Sequence, residues 1–272
     1  MKTRPHRRRS PWPFVWTALG SAAGAVVFTR NFLEVEKRID RLISLEYGPE
    51  DPPFRRTMSQ LLGPPLLEGN SVNALQNGAE IFPAMLAAIQ AAKHSISFEN
   101  FIFHKGRVVD QFAEALAERA SAGAKVHFLQ DAFGCDCLHG EAMRLLKRSG
   151  VEVEIFRFLH LSRFNYRTHR KLLIIDGRVG FIGGVGIGDD WEGNGNSVHQ
   201  WRDSHYRVEG PVVAQIQQAF MDNWMQTRAV VLHGDDYFPE LAPTGDTLCQ
   251  VFKSSASEGA DSARVMFLLS IA

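Results

Sequence analysis

The chain has 272 residues, of which 45% are hydrophobic and 22% are charged, a composition typical of a globular protein rather than a disordered one. Thirty basic residues balance thirty acidic residues, and this zero net charge argues against nucleic-acid binding through bulk electrostatics. Three cysteines, Cys135, Cys137 and Cys249, are too few for a disulfide framework or a four-cysteine zinc site.

The first thirty residues form a basic segment followed by a candidate membrane anchor. Residues 1–10 contain five Lys or Arg side chains and no acid, and residues 11–29 carry no charge. Nineteen uncharged residues are just enough to span a bilayer as a helix, which favours a transmembrane or signal anchor. A signal peptide cleaved near Ala23-Gly24-Ala25 and a buried soluble helix are the alternatives. If the helix inserts, the basic flank predicts a cytoplasmic N-terminus.

Residues 31–66 are predicted to connect this anchor to a folded domain. Residues 30–46 mix charges of both signs with apolar side chains, as an amphipathic juxtamembrane helix does. Clusters of proline and glycine at 48–53 and 63–65 then predict a linker over 47–66.

From residue 67 onward the apolar pattern alternates between strands and helices. Helices are predicted over 81–92, 110–120, 141–148 and 211–227, and strands over 95–103, 125–131, 151–156 and 202–208. The first helix is expected to have Pro83 in its first turn. Strands separated by helices of this length imply βαβ crossovers, so the predicted fold class is α/β, with a mixed, largely parallel sheet flanked by helices.

A predicted β-hairpin carries the residues with the clearest chemistry. It consists of a strand over 172–176, a turn at Asp176-Gly177 and a returning strand over 179–182. Because residues two apart on a strand share a face, His169 and Lys171 are expected to point the same way. A nucleophile or base beside a fixed cation suits the handling of a phosphate, and the alternative is a plain hairpin with polar residues on its exposed face.

The spacing His169-x-Lys171-x4-Asp176, followed by Gly183-Gly184, resembles the HKD signature of the phospholipase D superfamily. Residues 66–103 look like the opening of bacterial cardiolipin synthases of the phospholipase D type, and residues 201–224 look like the segment that follows their first motif. The resemblance extends over most of the chain and is therefore more specific than the motif alone.

This resemblance implies a phospholipase D-like domain over 67–253, and over 254–272 a connector and the start of a second such domain. The sequence MFLLSIA near the C-terminus resembles MLAAIQA in the first predicted helix, which is typical of a repeat that begins there. Family active sites combine two HKD motifs, from one chain or across a homodimer. The chain is therefore expected to be the N-terminal half of a longer protein, inactive unless a second motif or a homodimer completes it.

The resemblance also implies catalytic roles for four residues. His169 would be the nucleophile that forms a phosphohistidine, and Lys171 would neutralise the phosphoryl oxygens. Asp176 belongs to the motif but is expected to hold the hairpin instead of touching substrate. Asp203 is the candidate for orienting His169, and its alternative is a solvated aspartate at a strand end.

Substrate binding is assigned to Arg167, Arg170, Gly183 and Gly184. Residues 157–171 interleave arginines with aromatic side chains, which suits an anionic headgroup surface or single-stranded nucleic acid, with a solvated loop as the alternative. The family pattern has an asparagine two residues beyond the glycine pair, where this chain has Gly186. The side-chain amide that would help to bind phosphate is thus missing, and the backbone N–H groups of residues 183–186 are the alternative donors.

The function implied is that of a phosphatidyltransferase similar to cardiolipin synthase, with no metal or organic cofactor. Its expected partners are an anionic phospholipid and the bacterial cell membrane, with a single N-terminal anchor; the side of the membrane and the acceptor alcohol stay open. The alternatives are a phospholipase D or nuclease-type phosphodiesterase and a non-catalytic lipid-binding domain with a vestigial site.

The cluster Cys135-x-Cys137-x-His139 would need a fourth, unidentified ligand to hold a metal.

Overall fold

The computed structural model describes residues 12–32, 47–48, 50–61, 63–104, 106–135, 140–156 and 167–253, together with Met266. The chain divides into two compact units, one formed by residues 1–37 and 159–166 and the other by residues 38–158 and 167–272. The predicted juxtamembrane helix and the predicted start of a second domain lie outside the described residues, apart from their edges and Met266.

In the first unit the described residues form one helix, α1, over Trp12–Phe32. Its 21 residues rise roughly 32 Å at about 1.5 Å each, close to the hydrocarbon thickness of a bilayer. The stretch Trp12–Thr29 is long and apolar enough to cross a membrane by length and composition. A signal sequence has the same properties, so the helix agrees with the predicted anchor and leaves the signal-peptide alternative open.

The second unit is built around a sheet in which eight strands are described. These are β1 Leu67–Gln76, β2 Ser95–Asn100, β3 Lys125–Asp131, β4 Glu152–Phe156, β5 Leu172–Ile175, β6 Val179–Gly183, β7 Ser204–Glu209 and β8 Thr247–Cys249. Their order across the sheet is β4-β3-β2-β5-β6-β7-β1-β8. The strands β2, β3 and β4 are parallel, and every other neighbouring pair is antiparallel. The mixed α/β sheet is confirmed, whereas the expectation that it is largely parallel is wrong.

The helices of the second unit flank this sheet. They are α2 Pro52–Leu61, α3 Asn77–Ala91, α4 Arg107–Ser121, α5 Glu141–Arg148 and α6 Val213–Arg228. The bounds of α5 and β3 equal the predicted ones, because each is a short periodic run between clear turn residues. On α4, Val109, Phe112 and Leu116 face the core at spacings of three and four residues.

Two elements near the start of this unit differ from the prediction. The strand β1 was not predicted, since its sequence LEGNSVNALQ is polar and lacks a regular apolar alternation, yet it pairs with both β7 and β8. The helix α3 begins at Asn77, four residues before its predicted start, and Pro83 lies inside it rather than in the first turn. The packing of its apolar face thus outweighs the hydrogen bond lost at the proline.

The segment predicted as a linker contains α2. Its two prolines begin the helix instead of breaking it, as proline does at the first helical position. Phe54 and Met58 are buried against Tyr47, Leu66 and Phe252, which packs the helix onto the domain.

The sheet separates two apolar clusters. Leu173 and Ile175 pack with α3 and α4 on one face, and Leu172 and Ile174 pack with α6 on the other. Both faces of β5 are therefore buried, as expected for a central strand covered by helices on both sides.

The predicted hairpin between β5 and β6 is confirmed, with its turn at Asp176-Gly177. Both residues have positive φ, 53° and 62°, as a type I′ turn requires. The Asp176 carboxylate accepts hydrogen bonds of 2.7 to 3.2 Å from the backbone N–H groups of Lys93, His94 and Ser95. It therefore ties the hairpin to the start of β2.

We expect Asp176→Ala to lower the free energy of unfolding by about 2 kcal/mol, because three backbone donors lose their acceptor. Asp176→Asn should cost about half as much, since asparagine tolerates positive φ and keeps one acceptor oxygen. Urea titration measures both values. The exposed Asp235, replaced by alanine as a control, should change the value by less than about 0.5 kcal/mol. Equal losses in the two alanine variants would contradict the role of Asp176.

Candidate active site

The candidate site lies where the carboxyl ends of β2 and β3 meet the residues that precede β5. In the antiparallel pair β2–β5, Glu99 is opposite Leu172. Because β5 runs against β2, the residues just before Leu172 lie beside the end of β2. This topology brings His169 and Lys171 to the same sheet edge as Asp131, the last residue of β3.

His169 lies in the segment before β5 rather than on the strand itself, and its side chain is exposed. Its ring centroid is 4.9 Å from that of Phe101. Partial burial lowers the pKa of His169, the charge of Lys171 lowers it further, and Asp131 acts in the opposite direction. These effects together favour the neutral imidazole, which is the form that a nucleophile requires.

Lys171 is buried beside His169 and is directed to the same side. Its Nζ donates a hydrogen bond of 3.0 Å to the backbone carbonyl of His169 and lies 5.5 Å from the centroid of the Phe101 ring. Burial lowers the pKa of Lys171 to about 8, and the charge of Asp203 opposes this shift. The ammonium group is therefore still mainly protonated at neutral pH.

Asp203, predicted to orient His169, contacts other groups. One carboxylate oxygen accepts a hydrogen bond of 3.2 Å from Trp191 Nε1, and the other accepts one of 2.9 Å from the Ser204 backbone. Its charge acts on the pKa of Lys171, whereas the carboxylate that acts on His169 is Asp131. Through its charge, Asp203 is thus linked to the lysine of the motif rather than to the histidine.

Two buried carboxylates that were not predicted for the site hold Thr168, the residue before His169. Asp131 accepts a hydrogen bond of 3.0 Å from the Thr168 backbone N–H. Glu99 accepts one from the Thr168 hydroxyl and one of 2.7 Å from Asn223 Nδ2. Burial raises the pKa of Glu99 to about 7, and the hydrogen bond from Thr168 is the largest opposing effect. An acidic residue within an otherwise apolar strand, as Glu99 is in β2 and Asp131 in β3, is the sequence signal for a buried carboxylate of this kind.

The two predicted substrate-binding arginines lie in different places. The Arg167 guanidinium is 3.8 Å from the centroid of the Phe133 ring, and one of its nitrogens is 3.8 Å from Asp131 Oδ1. Arg170 instead donates a hydrogen bond to the backbone carbonyl of Ala219 on α6. Arg167 is therefore near the site, whereas Arg170 faces the opposite side of the sheet.

Gly183 and Gly184 make room for neighbouring side chains. A Cβ atom at position 183 would lie 2.6 Å from His205 Nδ1, and one at position 184 would overlap the Asp203 carboxylate. The backbone N–H of Gly184 donates to the Ser204 carbonyl at 3.2 Å. These contacts give the glycine pair a packing function, and substrate binding by the pair stays a prediction.

Gly186, which stands where the family pattern has asparagine, is enclosed by two side chains. A Cβ atom there would lie 2.8 Å from the Trp191 indole and 2.9 Å from Ile102 Cβ. The indole therefore occupies the space that a side chain at 186 would need, and its N–H donates to Asp203. An asparagine does not fit without displacing Trp191.

His205 is a further buried residue at this edge and had no predicted role. Its partner across the β6–β7 pair is Gly183, and the missing side chain there leaves the space that the imidazole fills. Among the described residues, neither ring nitrogen has a hydrogen-bond partner. Burial lowers the pKa of His205 to about 4, with the charge of Lys171 contributing, so the ring is neutral.

Of the remaining predicted features, one lies away from the site and two fall wholly or partly outside the described residues. Asp176 lies at the opposite end of β5 from His169, roughly 20 Å away in an extended chain, and it contacts the backbone before β2. The basic and aromatic segment over 157–166 lies outside the described residues, as do Cys137 and His139 of the cysteine cluster. The Asp176 carboxylate thus holds the hairpin, as expected from the sequence, and a catalytic role for Asp176 stays a prediction.

The chain is similar in sequence to known cardiolipin synthases. The family model described as "Cardiolipin synthase, PLD-like domain" matches residues 85–224. Cardiolipin synthase A of Pseudomonas syringae pv. syringae (strain B728a) is 34% identical over 222 residues, which are 79% of this chain and 46% of that protein. Cardiolipin synthase 1 of Bacillus cereus is 30% identical over 200 residues, which are 72% of this chain and 39% of that protein. The chain thus spans about half the length, or less, of these curated relatives.

Among solved structures, a phospholipase D family member, Nuc from Salmonella typhimurium, is similar to this chain with a TM-score of 0.47 and 19% sequence identity. The match covers 58% of this chain and 97% of that one. Similarity at this level supports no conclusion about function.

We expect Gly186→Ala to lower the free energy of unfolding by about 1 to 3 kcal/mol, because the new methyl group would press against Trp191 and Ile102. Gly188→Ala in the same loop is the control: its Cβ would have its nearest neighbour 3.6 Å away, an ordinary contact. That variant should remain within about 0.5 kcal/mol of the original protein in urea titration. A Gly186→Ala variant as stable as Gly188→Ala would contradict the packing described for Trp191.

Proposed function

The chain belongs to the family of phospholipase D-like domains of cardiolipin synthases, and on this basis we propose that the full-length protein is a phosphatidyltransferase that acts through a phosphohistidine. The observation that carries the proposal is the pairing of His169, whose pKa is lowered, with the buried Lys171, whose Nζ lies 3.0 Å from the His169 carbonyl. A neutral imidazole beside a fixed ammonium provides a nucleophile and a counter-charge for a phosphate.

The proposed reaction has two displacements at phosphorus. In the first, an imidazole nitrogen of His169 forms a bond to phosphorus, and the bond from phosphorus to the leaving alcohol breaks. The leaving oxygen takes a proton from a second histidine, which acts as general acid. In the second displacement this histidine accepts the proton of an acceptor alcohol, whose oxygen binds phosphorus and releases His169.

The second histidine is expected from another H-x-K-x4-D motif or from a second copy of the chain. The 272 residues contain this motif once, at His169. The proposal therefore concerns the full-length protein or a homodimer, and the 272 residues alone are expected to be inactive.

Lys171 stabilises the negative charge that develops on the phosphoryl oxygens. Its hydrogen bond to the His169 carbonyl and its burial beside Phe101 restrict its position, so little reorganisation is needed during the reaction. Arg167 is the nearby arginine that can add positive charge at the rim of the site, and its aromatic contact with Phe133 orients it.

The proposed substrate is an anionic phospholipid in the bacterial cell membrane, such as phosphatidylglycerol. The relatives named as cardiolipin synthases support this choice over a nucleic-acid substrate. The apolar helix α1 supports it as well, because its length and composition suit a membrane anchor.

We expect His169→Ala in the full-length protein to reduce phosphatidyl transfer from labelled phosphatidylglycerol by at least about a thousandfold, since the covalent route is lost. His233→Ala, which alters an exposed histidine after α6, is the matched control and should retain full activity. Acid-labile phosphate trapped on His169 would exclude a purely lipid-binding role. Cleavage of labelled DNA without lipid transfer would point to the nuclease alternative.

The pH profile of kcat/KM is expected to be bell-shaped. The acid limb reflects His169, whose pKa lies below its ordinary value, because protonation removes the nucleophile. The alkaline limb should fall near pH 8, where Lys171 loses its proton. Asp203→Asn removes the charge that raises the pKa of Lys171, so the alkaline limb should move to lower pH. An alkaline limb that does not move in this variant would contradict the role of Lys171.

A further inference from the structure

The segment that carries His169 has two sides with different contacts. Thr168 and Arg170 are both held on the α6 side of the sheet, the former by Glu99 and the latter by the backbone carbonyl of Ala219. His169 and Lys171 contact Phe101 instead. Because side chains alternate along an extended chain, Thr168 and Arg170 bind groups on the α6 side, and His169 between them faces the site.

Thr168 is fixed at two points by buried carboxylates. Its backbone N–H donates to Asp131 at 3.0 Å, and its hydroxyl donates to Glu99, which Asn223 also contacts at 2.7 Å. Asn223 Nδ2 additionally lies 3.1 Å from the Thr168 hydroxyl, so the three side chains form one closed network. Since both carboxylates are fully buried, this network is sheltered from competing water.

Glu99 has charged neighbours on two elements, and one of its two carboxylate oxygens forms hydrogen bonds. Arg170 faces it from the segment before β5, and Asp222 faces it from α6, where Lys253 Nζ pairs with Asp222 at 2.7 Å. Only Oε1 of Glu99 takes part in the network, because Oε2 has no hydrogen-bond partner among the described residues. Glu99 therefore acts through one acceptor oxygen, which a glutamine would also provide.

We propose that Glu99 is a positioning residue for His169: together with Asn223 and Asp131 it holds Thr168 on the α6 side of the sheet and thereby fixes the direction of the imidazole. The inference rests on the proposed function for its consequence in catalysis. Its structural part, that Glu99 controls the environment of His169, is independent of the reaction.

The test compares three variants of the full-length protein. Glu99→Ala removes the acceptor, Glu99→Gln keeps it, and Thr168→Val removes the donor while preserving the shape of the side chain. Ser97→Ala is the matched control, because Ser97 is buried on the same strand and face and bonds to Gln217 outside the network.

The first readout is the rate at which diethyl pyrocarbonate modifies His169, measured by mass spectrometry over a range of pH. This rate reports the pKa of the exposed imidazole and its accessibility to the reagent. In Glu99→Ala and Thr168→Val the pKa of His169 should rise toward its ordinary value, because the released segment becomes more hydrated. Glu99→Gln and Ser97→Ala should match the original protein. An unchanged His169 profile in both Glu99→Ala and Thr168→Val, or an equal change in Ser97→Ala, would overturn the proposal.

The second readout is phosphatidyl transfer. The kcat of Glu99→Ala and Thr168→Val should fall roughly 10- to 100-fold with KM nearly constant, because misdirection of the nucleophile impairs the chemical step. Glu99→Gln should restore most of the activity, and failure to do so would refute the acceptor role. If the original protein shows neither transfer nor a phosphohistidine, the proposed function fails, and the profile of His169 alone decides the positioning role. Should Glu99→Ala not fold, Thr168→Val decides it.

Discussion

The antiparallel register between β2 and β5 determines which residues enter the candidate site. With Glu99 opposite Leu172, Thr168 and His169 are placed on opposite sides of the sheet edge, and a shift by one residue would exchange them. Apolar burial alone specifies this register weakly, since all four residues of β5 are buried. The polar contacts at the two ends of β5 specify the register more strongly. At one end Asp176 binds the backbone before β2, and at the other Thr168 binds Glu99.

Burial of Glu99 carries a cost that grows with pH. Its pKa in the folded protein is raised to about 7, above the ordinary value, so the folded state holds a proton that the unfolded state loses at lower pH. Stability from this residue therefore falls as the pH rises from about 4.5 to about 7 and stays lower above that range. Because a buried charge gives weak support for stability, the positioning role proposed for Glu99 rests on its hydrogen bonds to Thr168 and Asn223.

The sequence predicted most of the fold because the apolar periodicity of the central elements is strong. The strand β1 could not be predicted, because its sequence is polar and it is defined by pairing with β7 and β8. The start of α3 was predicted wrongly, because the packed face of this helix tolerates Pro83 in its interior. In the site, the sequence predicted that His169 and Lys171 lie together. It could not show that Asp131 lies beside them, because the neighbours of a strand depend on topology.

Burial and the charge of Lys171 favour the neutral form of His169, and two carboxylates with different surroundings oppose the effect of burial on the pKa values of His169 and Lys171. Asp131 lies within 3.8 Å of Arg167 and accepts the Thr168 N–H, so its charge is largely compensated and raises the pKa of His169 less than burial lowers it. Asp203 accepts hydrogen bonds from two uncharged donors, the Trp191 indole and the Ser204 backbone N–H, and its charge raises the pKa of Lys171 against burial. The close approach of Asp203 in turn requires a glycine at 184, and Trp191 requires one at 186. Gly184 and Gly186 therefore belong to the charge balance of the site, because their missing side chains make room for the Asp203 carboxylate, whose charge acts on Lys171, and for the indole that donates to this carboxylate.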